Sequence, residues 1–176
     1  DHLYAAPVMF EYLKTLDLGK QVVVVSPDTG GIKMAHAYSQ LLHADLAIVA
    51  KRRMSDTETE TISVIGKVRD KTVVLVDDLT ETAGTLVSAA RILRRRGAKR
   101  TIAVVSHAVL NDLGVKRLRK SNIDELITTD TVPRPPIEGV KLTTCSVAGL
   151  LGEAIKRIHT NSSVTSLFEF DGIRIG

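Results

Sequence analysis

Short runs of consecutive apolar residues recur along this chain, and they constrain its fold more than any other feature. Residues 22–26, 71–78 and 100–108 each hold four adjacent aliphatic residues, without the polar alternation of a half-exposed strand. Such runs are typical of strands that are buried on both faces of a sheet. Segments with a helical spacing of apolar residues, such as 32–43 and 84–97, separate them. Alternating strands and helices predict an α/β fold, with a mostly parallel sheet and helices on both faces.

The remaining elements continue this alternation toward both ends of the chain. We expect a first helix within residues 1–13 and a strand at residues 44–50. Two short strands are expected at residues 124–130 and 141–146, and a last helix at residues 148–160. The pattern contains no internal repeat, so a single sheet accounts for the whole chain.

Length and composition fit a single domain that spans residues 1–176. With 44% hydrophobic residues the chain can bury a core, and with 3% aromatic residues and no Trp that core is aliphatic. The single cysteine, Cys145, excludes an internal disulfide and a Cys-only metal site, and it favours a reducing, cytoplasmic location. No apolar run is long enough to cross a membrane. The net charge of +4 fits an anionic small ligand as well as nucleic acid.

The end of the strand at residues 71–78 combines two carboxylates with a turn of small residues. Ligands of open parallel sheets bind beyond the carboxyl ends of the strands, and residues 80–85 lead into a helix whose first N–H groups favour phosphate. Asp77 and Asp78 would repel that phosphate, so we expect them to contact sugar hydroxyls or a magnesium ion. For the Asp pair alone, a capped helix behind exposed acids is the simpler alternative. The whole pattern predicts a site for a phosphorylated sugar.

A second turn between a strand and a helix follows residues 22–26. We expect it to have free backbone N–H groups, which would form an anion cradle beside an acid that can hold a cation. Many α/β turns share this pattern, so it is weak evidence alone. The residues of this turn are Asp28, Thr29, Gly30 and Gly31.

Three basic residues, Lys51, Arg52 and Arg53, directly follow the strand expected at residues 44–50. They begin the polar stretch 51–63, which has no core periodicity and which we interpret as a mobile loop. Solvated charges at the start of a loop are the simpler alternative. Beside two anion cradles, these cations are also placed to stabilise charge on a transferring phosphoryl group.

The stretch VVLVDDLTETAGT, residues 73–85, resembles the phosphoribosyl-diphosphate signature of the type I phosphoribosyltransferase fold. Together with SPDTGG, KRR and SVAGLLGEAIKRIHTNSSVTSLFE, it makes nearly the whole chain similar to the ribose-phosphate pyrophosphokinase family. The signature is shared with phosphoribosyltransferases, whereas KRR at this spacing is more specific to the pyrophosphokinases. The resemblance implies a type I phosphoribosyltransferase-like fold.

This resemblance also implies a reaction, in which the diphosphoryl group of ATP passes to the anomeric hydroxyl of ribose 5-phosphate with Mg²⁺ as the cofactor. Lys51 and Arg53 match the catalytic pair on a flexible loop, Asp28 matches a magnesium ligand, and Asp77 matches a residue on the ribose hydroxyls. The implied partners are ATP and ribose 5-phosphate, in a homo-oligomer that is a hexamer built from dimers, without nucleic acid or membrane. The implied cradle for the 5-phosphate is Glu81, Thr82, Ala83, Gly84 and Thr85.

The chain departs from the family pattern at two positions of the signature. Glu81 stands where Asp is usual, and Thr80 stands where an apolar residue is usual. The longer side chain of Glu81 can reach the sugar and can also shift it. Family members resemble a tandem pair of such domains, and the first supplies a magnesium-binding His and much of the adenine pocket. Nothing here matches that first domain, so we expect a C-terminal half with little or no activity of its own.

Three other functions remain as alternatives. A non-catalytic regulatory relative would keep the sugar-phosphate site, but Lys51 and Arg53 argue against it. A phosphoribosyltransferase needs a hood over its nucleobase, and no segment of the chain suits that role. A nucleic-acid-binding protein needs an aromatic stacking platform or a recognition helix, and the sequence has neither motif.

Weaker candidate residues lie outside these motifs. His107 follows an apolar run, and its side chain fits a functional role and an ordinary structural hydrogen bond about equally well. Residues 94–100, RRRGAKR, fit a phosphate-binding patch, although a solvated basic end beside the negative helix terminus explains them more simply. Cys145 is expected to be a small core residue rather than a nucleophile.

Overall fold

The computed structural model describes residues 2–52, 61–170 and 173–174 of the chain. The main sheet contains seven strands. In chain order these are β1 (Val22–Ser26), β2 (Asp45–Arg52), β3 (Thr61–Ile65), β4 (Thr72–Thr80), β5 (Arg100–Ala108), β6 (Glu125–Thr129) and β7 (Leu142–Cys145). The α-helices are α1 (Ala6–Thr15), α2 (Ile32–Leu41), α3 (Gly84–Arg95), α4 (Asp112–Arg119) and α5 (Ala148–His159). A 3₁₀ turn (Thr165–Phe168) and the strand pair β8 (Glu169–Phe170) and β9 (Ile173–Arg174) follow.

The main sheet has the strand order β3-β2-β1-β4-β5-β6-β7. All neighbouring pairs are parallel except β2 and β3, which are antiparallel. The order reverses between β1 and β4, because the chain moves outward through β2 and β3 and then crosses back. The predicted α/β fold with a mostly parallel sheet and helices on both faces is confirmed. Ligand sites of such sheets form where the strand order reverses.

Helices cover both faces of the sheet, and alternate strand residues therefore enter two separate cores. Val23 and Val25 of β1 belong to the core beneath α3 and α4, whereas Val24 belongs to the core beneath α1 and α2. All three side chains are fully buried. This two-sided burial explains why the central strands are uninterrupted aliphatic runs. Among the helices that the model describes, none combines the length and the apolarity that crossing a bilayer requires.

The interpretation of residues 51–63 as one mobile loop is wrong at both of its ends. Lys51 and Arg52 end β2, and the stretch from Thr61 to Ser63 begins β3, with Lys51 opposite Ile62 in the antiparallel register. The four β-branched residues of the TISVI segment favour this strand. Residues 53–60, and with them Arg53, lie outside the described residues.

Candidate functional site

The loops after β1 and β4 meet where the strand order reverses. Asp28 from the first loop and Asp77 and Asp78 from the end of β4 line one cavity of about 690 Å³. Gly30 and Gly31 line the same cavity. The structure therefore brings together residues from two of the strand ends that the sequence singled out. One face of α2, with Tyr4, completes the wall; its lining residues are Lys33, Met34, His36, Ala37 and Gln40.

Asp28 organises the turn after β1. One of its carboxylate oxygens accepts hydrogen bonds from the backbone N–H groups of Gly30, at 2.8 Å, and of Gly31, at 3.2 Å. The hydroxyl of Ser26 donates to the carbonyl of Asp28 at 2.6 Å. The expectation that the amides of Gly30 and Gly31 are free is therefore wrong. Asp28, which was expected beside this anion cradle, itself accepts the hydrogen bonds of both amides. This turn is held in shape by its own acid.

Asp77 and Asp78 form a tight pair of acids at the end of β4. The carboxylate of Asp77 accepts from the N–H of Asp78 at 3.0 Å, and that of Asp78 accepts from the N–H of Leu79 at 2.7 Å. Burial raises the pKa of Asp77 to about 6, although the Asp78 N–H bond opposes the rise; the negative charges of Asp78 and Asp28 add to it. The cavity therefore holds an excess of negative charge that hydroxyl donors or a cation would relieve.

The turn that follows β4 presents an uncapped helix N-terminus, as the sequence predicted. Ala83, the residue before α3, is buried and adopts a left-handed conformation with φ of 52°, and no side chain caps the helix. The first N–H groups of α3, at Gly84 and Thr85, therefore lack the side-chain partner that most helices provide. Unpaired amides at the positive end of a helix are suited to an anionic group.

Helix α4, which the sequence analysis did not identify, supports this turn from outside. Asn111 caps α4 by accepting from the Gly114 N–H, and its side-chain amide donates to a carboxylate oxygen of Glu81 at 3.2 Å. Arg117 donates to the carbonyl of Thr82 at 3.1 Å. The carboxylate of Glu81 is thus directed toward Asn111. An Asn followed by an acid is a helix-start signal, but α4 has only eight residues, half of them charged, and therefore a weak hydrophobic periodicity.

Lys51 lies at the same edge of the sheet as the cavity. It comes three residues after Ile48, which pairs in parallel with Ser26, the last residue of β1. Its backbone pairs with Ile62 in the β2–β3 hairpin. The hairpin therefore begins at the site edge, next to the turn that holds Asp28.

The weaker candidates have structural partners. His107 Nδ1 lies 2.7 Å from the hydroxyl of Thr131, in a network that includes Thr129. Cys145 is buried in the core beneath α1 and α2, and burial raises the pKa of its thiol. Within the segment 94–100, Arg94 donates to the carbonyls of Ala98 and Lys99, which matches a helix end tied to the next loop.

Acidic side chains gather at the site without forming a closed metal cage. Among the residues that the model describes, no group of three or more His, Cys, Asp or Glu side chains is arranged to hold a metal ion. Hard cations that keep part of their water shell need fewer protein ligands than that. The cavity thus provides carboxylates, and the turn after β4 leads from them to the first amides of α3.

Comparison with known proteins places this arrangement among phosphoribosyl proteins. The family model described as "Phosphoribosyl synthetase-associated domain" matches residues 51–169. A ribose-phosphate pyrophosphokinase of Gloeobacter violaceus is 46% identical over 170 residues, which cover 96% of this chain and 51% of that protein. The chain thus spans about half the length of the relatives it matches.

Solved structures give the same picture at the level of the fold. The phosphoribosylpyrophosphate synthetase from Mycobacterium smegmatis superposes with a TM-score of 0.81 and 33% identity, over 92% of this chain and 53% of that one. The orotate phosphoribosyltransferase from Aeropyrum pernix superposes with a TM-score of 0.53 and 20% identity, over 86% of this chain and 76% of that one. The second likeness concerns the fold alone.

Proposed function

This chain belongs to the phosphoribosyl synthetase-associated domain family, and from that premise we propose that it provides the ribose 5-phosphate half of a ribose-phosphate pyrophosphokinase site. The reaction moves the diphosphoryl group of ATP to the anomeric hydroxyl of ribose 5-phosphate. The proposal includes ATP and ribose 5-phosphate as partners and a homo-oligomeric assembly.

One observation carries the proposal: the acids at the end of β4 and the uncapped N-terminus of α3 lie on the two sides of a single turn. A phosphorylated sugar has hydroxyl donors at one end and a dianion at the other. The carboxylates of Asp77 and Asp78 suit the hydroxyls, because carboxylates accept hydrogen bonds from them. The amides of Gly84 and Thr85 suit the phosphate. The order of these groups along the chain gives the sugar one orientation.

Side chains of the turn complete the proposed phosphate cradle. Thr82 and Thr85 can each donate a hydroxyl hydrogen, and Ala83 and Gly84 leave room for the phosphate to approach the backbone. Arg117 lies beside Gly84, since a Cβ atom built there would be 3.1 Å from its guanidinium. Glu81 contributes its backbone to the cradle, while its carboxylate is held by Asn111.

Mg²⁺ fits the acidic end of the cavity. Burial is the main cause of the raised pKa of Asp77, and the negative charges of Asp78 and Asp28 add to it; a cation beside these three acids would offset their repulsion. Asp28 is the proposed protein ligand, because only one of its carboxylate oxygens is used by the turn. Mg²⁺ commonly takes one or two carboxylates and completes its shell with water and substrate phosphates. When bound, the ion would neutralise phosphate charge next to the sugar.

Lys51 and Arg53 are the proposed catalytic residues. Lys51 stands at the site edge of β2, so its hairpin can bring positive charge to a diphosphoryl group above Asp28. A cation in that place acts where negative charge is redistributed during transfer, and so it contributes in the transition state. The turn proposed to bind the sugar does not include Lys51, so loss of its charge should not change the affinity for ribose 5-phosphate.

A chimaera tests the proposed function directly. This chain would replace the 170 matching residues of the Gloeobacter violaceus relative, with which it is 46% identical. We expect the chimaera to form phosphoribosyl diphosphate from ATP and ribose 5-phosphate. Lys51→Ala should then lower kcat by ~100- to 1,000-fold, the range typical of a lost electrostatic contact, and leave the affinity for ribose 5-phosphate nearly unchanged.

Lys156→Ala provides the matched control, because it removes the same charge from an exposed position on α5. It should leave both kcat and ribose 5-phosphate affinity unchanged. A folded chimaera without activity would contradict the proposed function. Full activity of Lys51→Ala would contradict the role of that residue alone.

A further inference from the structure

A second, larger depression lies at the opposite edge of the sheet from the candidate site. It is an open cleft of about 1050 Å³, formed by residues 18–21, residues 64–72 and the end of α3. Its wall includes a single acid, Asp70, against six basic residues. These six define the basic cleft: Lys20, Lys67, Arg69, Lys71, Arg96 and Lys99.

Most of the cations in the basic cleft are not neutralised by the protein. Lys71 pairs with Asp45, and Lys99 lies 3.9 Å from Asp70, a long and exposed ion pair. The side chains of the other four make no hydrogen bond or ion pair to the residues that the model describes, although the charge of Lys67 contributes, after that of Lys71, to the lowered pKa of Asp45. Like charges gathered in one depression repel one another, and an anionic ligand would relieve that repulsion.

The backbone holds the three segments of the basic cleft together. The N–H of Asp70 donates to the carbonyl of Gly97 at 2.8 Å, that of Lys99 to Lys71 at 3.0 Å, and that of Thr72 to Gln21 at 2.9 Å. Asp70 itself has a left-handed φ of 64°. The basic side chains are therefore carried by a frame that forms with the fold, so a ligand need not order it.

The lining of the basic cleft selects among anions. None of its lining residues is aromatic, so a nucleobase has no stacking partner there. The volume and the number of cations exceed what one phosphate group needs. We propose that the basic cleft binds a small oligophosphate anion, with the chemistry of a linear chain of phosphate groups, at a site separate from the sugar-phosphate turn.

The two sites are separated by the length of a strand. β4 begins at Thr72, which lines the basic cleft, and reaches Asp77 five residues later. At ~3.3 Å per residue this corresponds to roughly 17 Å. One small ligand therefore cannot occupy both sites. The proposal of an oligophosphate site does not depend on the proposed ribose-phosphate function.

Titration of the ¹⁵N-labelled chain with inorganic tripolyphosphate tests this proposal, because each backbone amide reports its own position. We expect saturable shifts at Gly66, Asp70 and Gly97, which frame the basic cleft. Lys67→Gln/Arg69→Gln removes two charges and keeps part of each aliphatic stem. It should weaken binding at these amides by at least about fivefold.

The control variant, Lys116→Gln/Lys156→Gln, removes the same charge from exposed positions on two helices. It should change the affinity by less than about twofold, since distant exposed charges are screened. Shifts confined to Gly84 and Thr85 would overturn the proposal, as would an equal loss in the control.

A competition with a single-stranded oligonucleotide gives a third outcome that would overturn the proposal. If the oligonucleotide displaced tripolyphosphate from Gly66, Asp70 and Gly97 at a lower concentration of phosphate groups than tripolyphosphate itself requires, the surface would be assigned to nucleic acid.

Discussion

At the scale of single residues, the acids of the site place function and stability in opposition. Asp77 is partly buried between two other carboxylates, and its pKa is raised to about 6. An ionised carboxylate in that position destabilises the folded chain, and a ligand with hydroxyls or positive charge removes the penalty. Such a loss of stability is common where a protein keeps a charged group for binding, although a neutral residue would be more stable there.

Asp77→Asn should stabilise the ligand-free chain by roughly 1–2 kcal/mol at pH 7.5, because Asn removes a charge whose pKa shift corresponds to about that energy after screening. The penalty is complete where Asp77 is ionised in the fold, above about pH 6, and absent below its ordinary value of 3.8. The stabilisation should therefore vanish near pH 4. Urea unfolding at both pH values measures it, with Glu138→Gln as an exposed control. A variant equally stable or weaker at pH 7.5 would contradict this account.

Gly114→Ala should disturb the site from the supporting helix. A Cβ atom at Gly114 would lie 2.4 Å from the backbone carbonyl oxygen of Glu81, which cannot move without shifting the turn. We expect a loss of about 1–3 kcal/mol in unfolding free energy, the usual cost of overpacking. Gly152→Ala is the control, since nothing lies within 4 Å of a Cβ there, and it should gain about 0.5–1 kcal/mol. Urea unfolding compares the two; similar effects would refute the close contact.

At the scale of elements, the sheet is held at its amino-terminal edge by a buried acid. The side chain of Glu125, at the start of β6, is fully buried. It accepts hydrogen bonds from Tyr12 at 2.8 Å, Lys141 at 2.7 Å and Thr143 at 2.9 Å, and Arg100 lies 3.5 Å away. These contacts join α1, β5, β6 and β7.

Glu125→Gln should destabilise the chain by about 2–4 kcal/mol at pH 7, because it breaks a buried charge network while keeping its shape. Burial raises the pKa of Glu125, but the bonds from Lys141, Tyr12 and Thr143 outweigh it and hold the pKa below its ordinary value of 4.5. The stabilisation is therefore complete above about pH 4.5 and is lost as the pH falls through the lower pKa of the fold. Urea unfolding of both proteins from pH 7 to pH 3 should show the difference shrinking; a constant difference would contradict this assignment.

Some elements could be predicted from the sequence and others could not. β1 and β5 have the predicted bounds, 22–26 and 100–108, because burial on both faces leaves a continuous aliphatic run inside each strand. The β2–β3 hairpin was missed because its strand β3 lies at the sheet edge and carries polar residues. Helix α4 was missed because half of its eight residues are charged and only Gly114 and Leu118 are buried. An element with few buried residues has a weak hydrophobic periodicity, and the sequence therefore does not identify it.

At the scale of the whole molecule, the two edges of the sheet each carry a cavity, and the two cavities differ in the sign of their charge. The edge at the strand carboxyl ends gathers Asp28, Asp77 and Asp78 beside the positive end of α3. The other edge gathers the basic cleft, near the negative end of α3. The sequence predicted the first site because each of its motifs directly follows a strand. For the basic cleft, the sequence indicated only residues 94–100 as a phosphate-binding patch, because nothing in the sequence shows that residues 18–21 and 64–72 fold against them.

A crystal structure of the chain with ribose 5-phosphate would show how the ligand is oriented between the acids of β4 and the N-terminus of α3. The account predicts the phosphate on the amides of Gly84 and Thr85, with the sugar hydroxyls toward Asp77 and Asp78. It would be contradicted by a phosphate bound at Gly30 and Gly31, or in the basic cleft, while the turn before α3 holds no ligand.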